Sequence, residues 1–151
     1  MSSTIPSEQT MNRLLQASED QLYEQLGIRA KAIAANPAVA GSFEPTVTYD
    51  GAAMGPLDDV REFGRRLFRR WNREAWNLAC SADDKADRKK LLDAFGGGQA
   101  AVAATLSGLL VAHLGLAPAL AAIIAALALK HFFRPAYEEF CTLWHEKLPK
   151  Q

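Results

Sequence analysis

A chain of 151 residues, 49% hydrophobic and 23% charged, has the usage of an ordinary globular domain, which excludes a disordered chain as the overall reading. Its 17 basic and 17 acidic residues cancel, so no net field steers a polyanion, and any nucleic-acid or headgroup contact must come from a local patch. Two cysteines build no disulfide framework, and Met1-Ser2-Ser3-Thr4-Ile5-Pro6 has neither the basic nor the apolar region of a secretory leader. The expectation is therefore a reducing, cytoplasmic setting, with Cys80 and Cys141 as buried small hydrophobes.

Residues 1–9 are polar and read as a flexible tail, leaving 10–151 as a single helical domain. From Thr10, a plausible cap, the apolar spacing turns helical: Met11, Leu15, Leu22 and Leu26 share a stripe with Leu14 beside it. Gly27 reads as a C-cap or kink, and a shorter helix follows to about Ala35, stopped by Asn36-Pro37. Residues 37–56 are punctuated by Pro37, Gly41, Pro45, Gly51, Gly55 and Pro56, and read as an irregular strap. Within it only Thr46-Val47-Thr48-Tyr49 has strand propensity, followed by a turn signal at Asp50-Gly51.

Pro56 suits the first position of a helix that Asp58 and Asp59 favour through its dipole. That helix runs to about Cys80, with Val60, Phe63, Leu67, Trp71, Ala75 and Leu78 as its expected inward stripe. Ser81-Ala82-Asp83-Asp84 resembles a capping box opening a helix that carries Leu91, Leu92 and Phe95 and ends at Gly96-Gly97-Gly98. From Gln99 to Leu129 there is no formally charged residue, and His113 is the one ionisable group. Gly115 and Pro118 divide the run into helices of about 99–114 and 117–133. A last helix begins near Pro135 and buries Tyr137, Phe140, Trp144 and Leu148. No internal repeat is present.

Each arm of the uncharged run carries a ridge of small residues: Ala100, Ala104, Gly108 and Ala112 in the first, Ala117, Ala121 and Ala125 in the second. Such ridges let backbones approach, in water or in lipid. An arm of this length reaches about 24 Å, short of a hydrocarbon core of about 30 Å. A single span from Leu109 to Leu129 is long enough only if the helix continues through Gly115 and Pro118. The amphipathic helices also need an apolar element to cover. The expected fold class is thus all-α: a compact bundle of about five to six helices around a central Ala-rich hydrophobic hairpin at about 99–133.

The helix before it has an unusual outer face. Arg61, Arg65, Arg69 and Arg73 recur every four residues, Arg66 and Arg70 lie beside them, and Glu62 is the one acid between Arg61 and Arg73. Like charges at this spacing destabilise a helix by a few tenths of a kcal/mol per pair. A helical wheel built on the expected stripe places Trp76 among the arginines, and Arg and Trp are the types most enriched in binding hot spots. The structural alternative is that Glu74, Asp83, Asp84, Asp87, Glu138 or Glu139 neutralises the ridge.

Signals that imitate chemistry lack their context. Gly96, Gly98 and Ala101 match a dinucleotide fingerprint but follow a helix, not a strand. Glu138, Cys141 and His145 share a helix face, yet zinc sites usually draw four ligands from more than one element. His113 stands alone among apolar residues. No catalytic, cofactor or metal residues are assigned.

The expected function is non-enzymatic: a protein-interaction or assembly subunit contacted through Arg61, Arg65, Arg66, Arg69, Arg70, Arg73, Trp76 and the strap. The alternatives are a membrane-inserting protein using the 99–133 hairpin, and a nucleic-acid accessory protein using the arginine ridge. A homo-oligomer, or a subunit of a larger complex, fits the same inventory.

Overall fold

The computed structural model describes residues 5–81 and 85–149. Among them it has eight α-helices and no strand: α1 Glu8–Gln16, α2 Glu19–Ala35, α3 Gly51–Met54, α4 Leu57–Cys80, α5 Lys85–Phe95, α6 Gln99–Leu114, α7 Pro118–Phe132 and α8 Tyr137–Lys147. The architecture is all-α. α7 has no polar side to turn outward, and it occupies the centre: every residue from Ala121 to Leu129 is at most 1% exposed. It touches α1, α2, α4, α6, α8 and the 3-10 turn Pro37–Gly41. α6 packs beside it, burying Val102–Ala104 and Leu106–Leu110, and the Ser107 hydroxyl donates to Ala103 O at 2.8 Å. Gly115 ends α6 at φ +66°, a left-handed conformation that glycine adopts without penalty. Among the described residues no single helix is long and apolar enough to cross a membrane; α7 and α8 pass that test only as a pair bent by 96°. Of the two small ridges, Ala100, Ala104, Gly108, Ala121 and Ala125 are buried, while Ala112 is exposed.

The amino-terminal break falls elsewhere than expected. α1 starts at Glu8, capped by Ser7 rather than Thr10. The chain then breaks at Ala17, and Ser18 opens α2 with a complete capping box: Gln21 N donates to Ser18 Oγ at 3.1 Å, and Ser18 N to Gln21 Oε1 at 2.9 Å. Gly27 is therefore no cap. It lies inside α2, where that helix crosses α4. A Cβ on Gly27 would stand 2.2 Å from Val60 O, and one on Gly64 would stand 1.9 Å from Tyr23 O. Two glycines let the backbones meet almost without side chains between them.

That crossing fixes which face of α4 is inside. The buried residues are Val60, Gly64, Phe68, Asn72, Ala75 and Ala79. Of the expected stripe, Val60 and Ala75 hold, while Phe63, Leu67, Trp71 and Leu78 are half-exposed. The mean inward direction is turned by roughly 65°, since Val60 and Ala75 belong to both stripes.

The strap contains no strand. The 3-10 turn Pro37–Gly41 is capped by Asn36, residues 46–49 form no regular element, and Asp50 caps the single turn of α3. It is fastened at two points. Glu44 accepts from Arg13 at 2.9 and 2.5 Å and from Thr10 Oγ1 at 3.1 Å. Buried Arg29 donates through Nη1 to Phe43 O (3.0 Å) and Ala119 O (2.9 Å), tying the strap to α2 and the start of α7. Burial lowers the Arg29 pKa to about 10, opposed by Glu44.

The two cysteines are not free thiols. Cys80 and Cys141 form a disulfide with Cα atoms 5.6 Å apart, joining the end of α4 to α8 across 61 residues. Sequence spacing hid this because the pair belongs to two helices that meet only after the core has formed. Disulfides are rare in compartments that keep thiols reduced, so the bond bears on the expected setting. The expected capping box at Ser81–Asp84 falls largely on residues 82–84, outside the described residues.

Candidate binding surfaces of the arginine helix

The arginine ridge divides into two parts once α2 is in place. Arg61 donates to Glu24 Oε1 through Nε (3.1 Å) and Nη2 (2.6 Å), and to Asp58 at 3.2 Å. Arg65 reaches Asp20 at 2.9 Å and also bonds Glu62, with its guanidinium 5.4 Å from the Tyr23 ring centre. Arg73 donates to Pro149 O at 2.7 Å. The acids that neutralise the ridge are thus Asp20, Glu24, Asp58 and Glu62. The suggested Glu138 and Glu139 are exposed on α8, and Asp87 is engaged by His113 Nε2 at 2.5 Å. His113 is accordingly not a lone histidine; Asp83 and Asp84 lie outside the described residues.

Trp76 lies on the arginine side of α4, but α8 covers it: Nε1 donates to Cys141 O at 3.0 Å, and the ring lies 4.7 Å from that of His145. Of the seven residues assigned to a binding face, Arg61, Arg65, Arg73 and Trp76 therefore have partners within the chain.

The other three point two ways. Arg66 and Arg70 are exposed and lie over aromatic rings, Arg66 at 5.9 Å from Phe63 and Arg70 at 5.4 Å from Trp71. Neither has an acidic partner among the described residues. Phe63, Leu67 and Trp71 run alongside them at i, i+4, i+8, half-exposed, and Lys31 Nζ of α2 sits 4.8 Å over Phe63. The result is an apolar strip edged by three cations.

Arg69 turns the other way, to a cavity of about 420 Å³ between α2, α4, α7 and α8. Its side chain is 61% exposed, and its nearest acid among the described residues, Glu62, is 4.0 Å away. Tyr23, Phe68 and Phe132 give the cavity aromatic walls, and Lys147 stands at its edge. His131 Nδ1 faces the Glu19 carboxylate at 3.4 Å. Its Nε2 shares a 3.0 Å hydrogen bond with the Tyr23 hydroxyl. Burial, with Glu19 adding, raises the Tyr23 pKa and keeps the phenol protonated, against Arg65 and Arg69. Asn72 closes the inner end. It is 6% exposed, and Trp144 Nε1, which can only donate, occupies its Oδ1 at 2.7 Å. No pattern along the chain announces this cavity, because four elements supply it; its one legible ingredient is Arg69.

A second, smaller cavity lies beside the Asp87–His113 pair, with Lys90 and Thr105 on its wall. Among the described residues no group of three or more His, Cys, Asp or Glu side chains is placed to hold a metal ion. Of the face formed by Glu138, Cys141 and His145, the cysteine sulfur is spent on Cys80. Comparison with known proteins supplies no relative: no protein-family model, no curated protein and no solved structure matches this chain.

Proposed function

We propose that this chain is a non-enzymatic helical interaction subunit, and that its partner docks on the outer strip of α4: Phe63, Leu67 and Trp71 with Arg66 and Arg70. The partner element is an acidic amphipathic helix. A helix laid along α4 would match apolar residues at i, i+3/i+4 and i+7 to the strip, and its Asp or Glu residues to the flanking arginines. The observation that carries this reading is the division of the ridge. Arg61 and Arg65 are spent on acids of α2 and α4, whereas Arg66 and Arg70 are held only over half-exposed rings. Cations placed on uncovered aromatic surface are typical of contacts that gain their strength on desolvation. The strap extends the same surface, since α3 packs beside α4 and Tyr49 is 39% exposed.

The membrane alternative has less support. α6 and α7 form the centre of the bundle, so exposing them to lipid means dismantling what covers them. The nucleic-acid alternative loses Arg61, Arg65 and Arg73, whose charges or donors are already committed.

The test is a photo-crosslinking residue in place of Leu67 in cells that express the chain. One dominant adduct is expected, mapping to an acidic helical segment and lost when Arg66→Glu and Arg70→Glu are combined. Arg61→Gln should leave it in place. Adducts no more abundant than those from a crosslinker at Glu139, or a dominant adduct on a basic segment, would remove the proposal.

A further inference from the structure

The cavity on the opposite side of α4 has a chemistry of its own. Its charged groups, Arg65, Arg69 and Lys147, are all cationic donors. Asn72 presents only its Nδ2 amino group, because Trp144 holds the oxygen, and that amino group makes no hydrogen bond among the described residues. Arg69 and Lys147 add cationic donors that no acid among the described residues approaches closer than 4.0 Å. The surrounding acids face other partners: Glu19 lies against His131, and Asp20 and Glu62 against Arg65, and none of the three lines the cavity. Cationic donors with no acid in the lining favour a ligand that supplies acceptors and carries negative charge.

The walls say what the rest of the ligand is. Phe68 stacks on the His131 ring at 5.8 Å and meets Tyr23 edge-on at 6.1 Å, while Phe132 stacks on Trp144 at 5.4 Å. These contacts hold in place the rings that border the cavity, whose volume of about 420 Å³ is enough for a small aromatic compound. We propose that this cavity is a binding site for a small aromatic anion, its carboxylate or phosphate oxygens held by Asn72 Nδ2, Arg69 and Lys147 and its ring against the wall formed by Tyr23, Phe68 and Phe132. The site shares no group with the outer strip, so it stands or falls separately from the partner contact.

The experiment follows the Asn72 side-chain amide signals by NMR while benzoate, phenyl phosphate or uncharged benzyl alcohol is added to the full chain. Saturable shifts are expected with at least one of the two anions. The stronger of them identifies the head group as carboxylate or phosphate. Arg69→Gln and Lys147→Gln, both at exposed positions and therefore compatible with folding, should each weaken binding about tenfold, the loss of one charge-assisted hydrogen bond. Arg66→Gln should leave it unchanged. Three results would overturn the site: no saturable shift with either anion, equal shifts from benzyl alcohol, or undiminished affinity in the Arg69→Gln/Lys147→Gln double variant.

Discussion

α7 and α4 reach the same core by opposite routes. α7 is apolar on every side, so no choice of face arises and its sequence alone puts it in the middle. α4 is amphipathic with two adjoining apolar rows, Phe63–Leu67–Trp71 and Val60–Phe68–Ala75–Ala79, and either could face inward. The larger side chains do not win. Gly64 lies on the second row and Gly27 on α2 opposes it, and the close backbone approach they permit outweighs the extra apolar area of the first. Bulk decides which helix is central, whereas a missing side chain decides which way a peripheral helix turns.

The most severe way to break that arrangement is to restore the missing side chain. Gly64→Val would drive Cβ to 1.9 Å from Tyr23 O, a backbone atom that cannot swing aside. Overpacking of backbone on backbone belongs to the tail of destabilisations above about 4 kcal/mol, and loss of cooperative unfolding in denaturant is expected. A stable, cooperative Gly64→Val variant would show that α2 and α4 do not cross there.

The two rows can also be compared directly. Phe68→Ala empties a position 5% exposed and should cost about 3–5 kcal/mol in the denaturant midpoint analysis. Phe63→Ala removes a half-exposed ring outside the core cluster and should cost less than about 1 kcal/mol. The reverse order would restore the inward stripe expected from sequence. At the carboxyl end of α4 the disulfide fixes the same orientation. Replacing both Cys80 and Cys141 by serine should cost about 2–4 kcal/mol, since the bond closes a loop of 61 residues in the unfolded chain. Non-reducing mass spectrometry of freshly isolated protein checks the bond itself through a loss of about two mass units relative to the dithiol.

What sequence reveals follows the range of the interaction. The uncharged run, its division at Gly115, and the burial of Phe140, Trp144 and Leu148 in α8 are local facts of composition and period, and the structure has them. The Ser18–Gln21 capping box was equally local but was masked by the louder glycine at Gly27. The arginine face needed Asp20 and Glu24, about 40 residues away on a helix whose crossing depends on two glycines. Trp76 lies on the arginine side of α4, and what covers it comes from α8, 65 residues away in sequence. The cavity is further still from legibility, since Asn72 reads as an ordinary polar residue until Trp144 claims its oxygen.

The strap offers the gentlest test, because it is held by polar groups rather than by burial. The hydrogen bond from Arg13 holds the Glu44 carboxyl below its usual range; partial burial opposes it and Thr10 adds to it. A carboxylate depressed in the folded state contributes stability that is present above the unfolded pKa and is lost as pH falls through the folded value. The difference in denaturant midpoint between the native chain and Glu44→Gln should therefore be small but steady near neutral pH. It should shrink once the pH drops below the ordinary carboxylate range and close when Glu44 is protonated in both states. Core positions of α7 carry no titratable side chain between Pro118 and Leu129, so a variant such as Ile124→Val should show a gap indifferent to the same change. A Glu44→Gln gap equally indifferent to acid would mean that Arg13 and Glu44 meet without holding the strap.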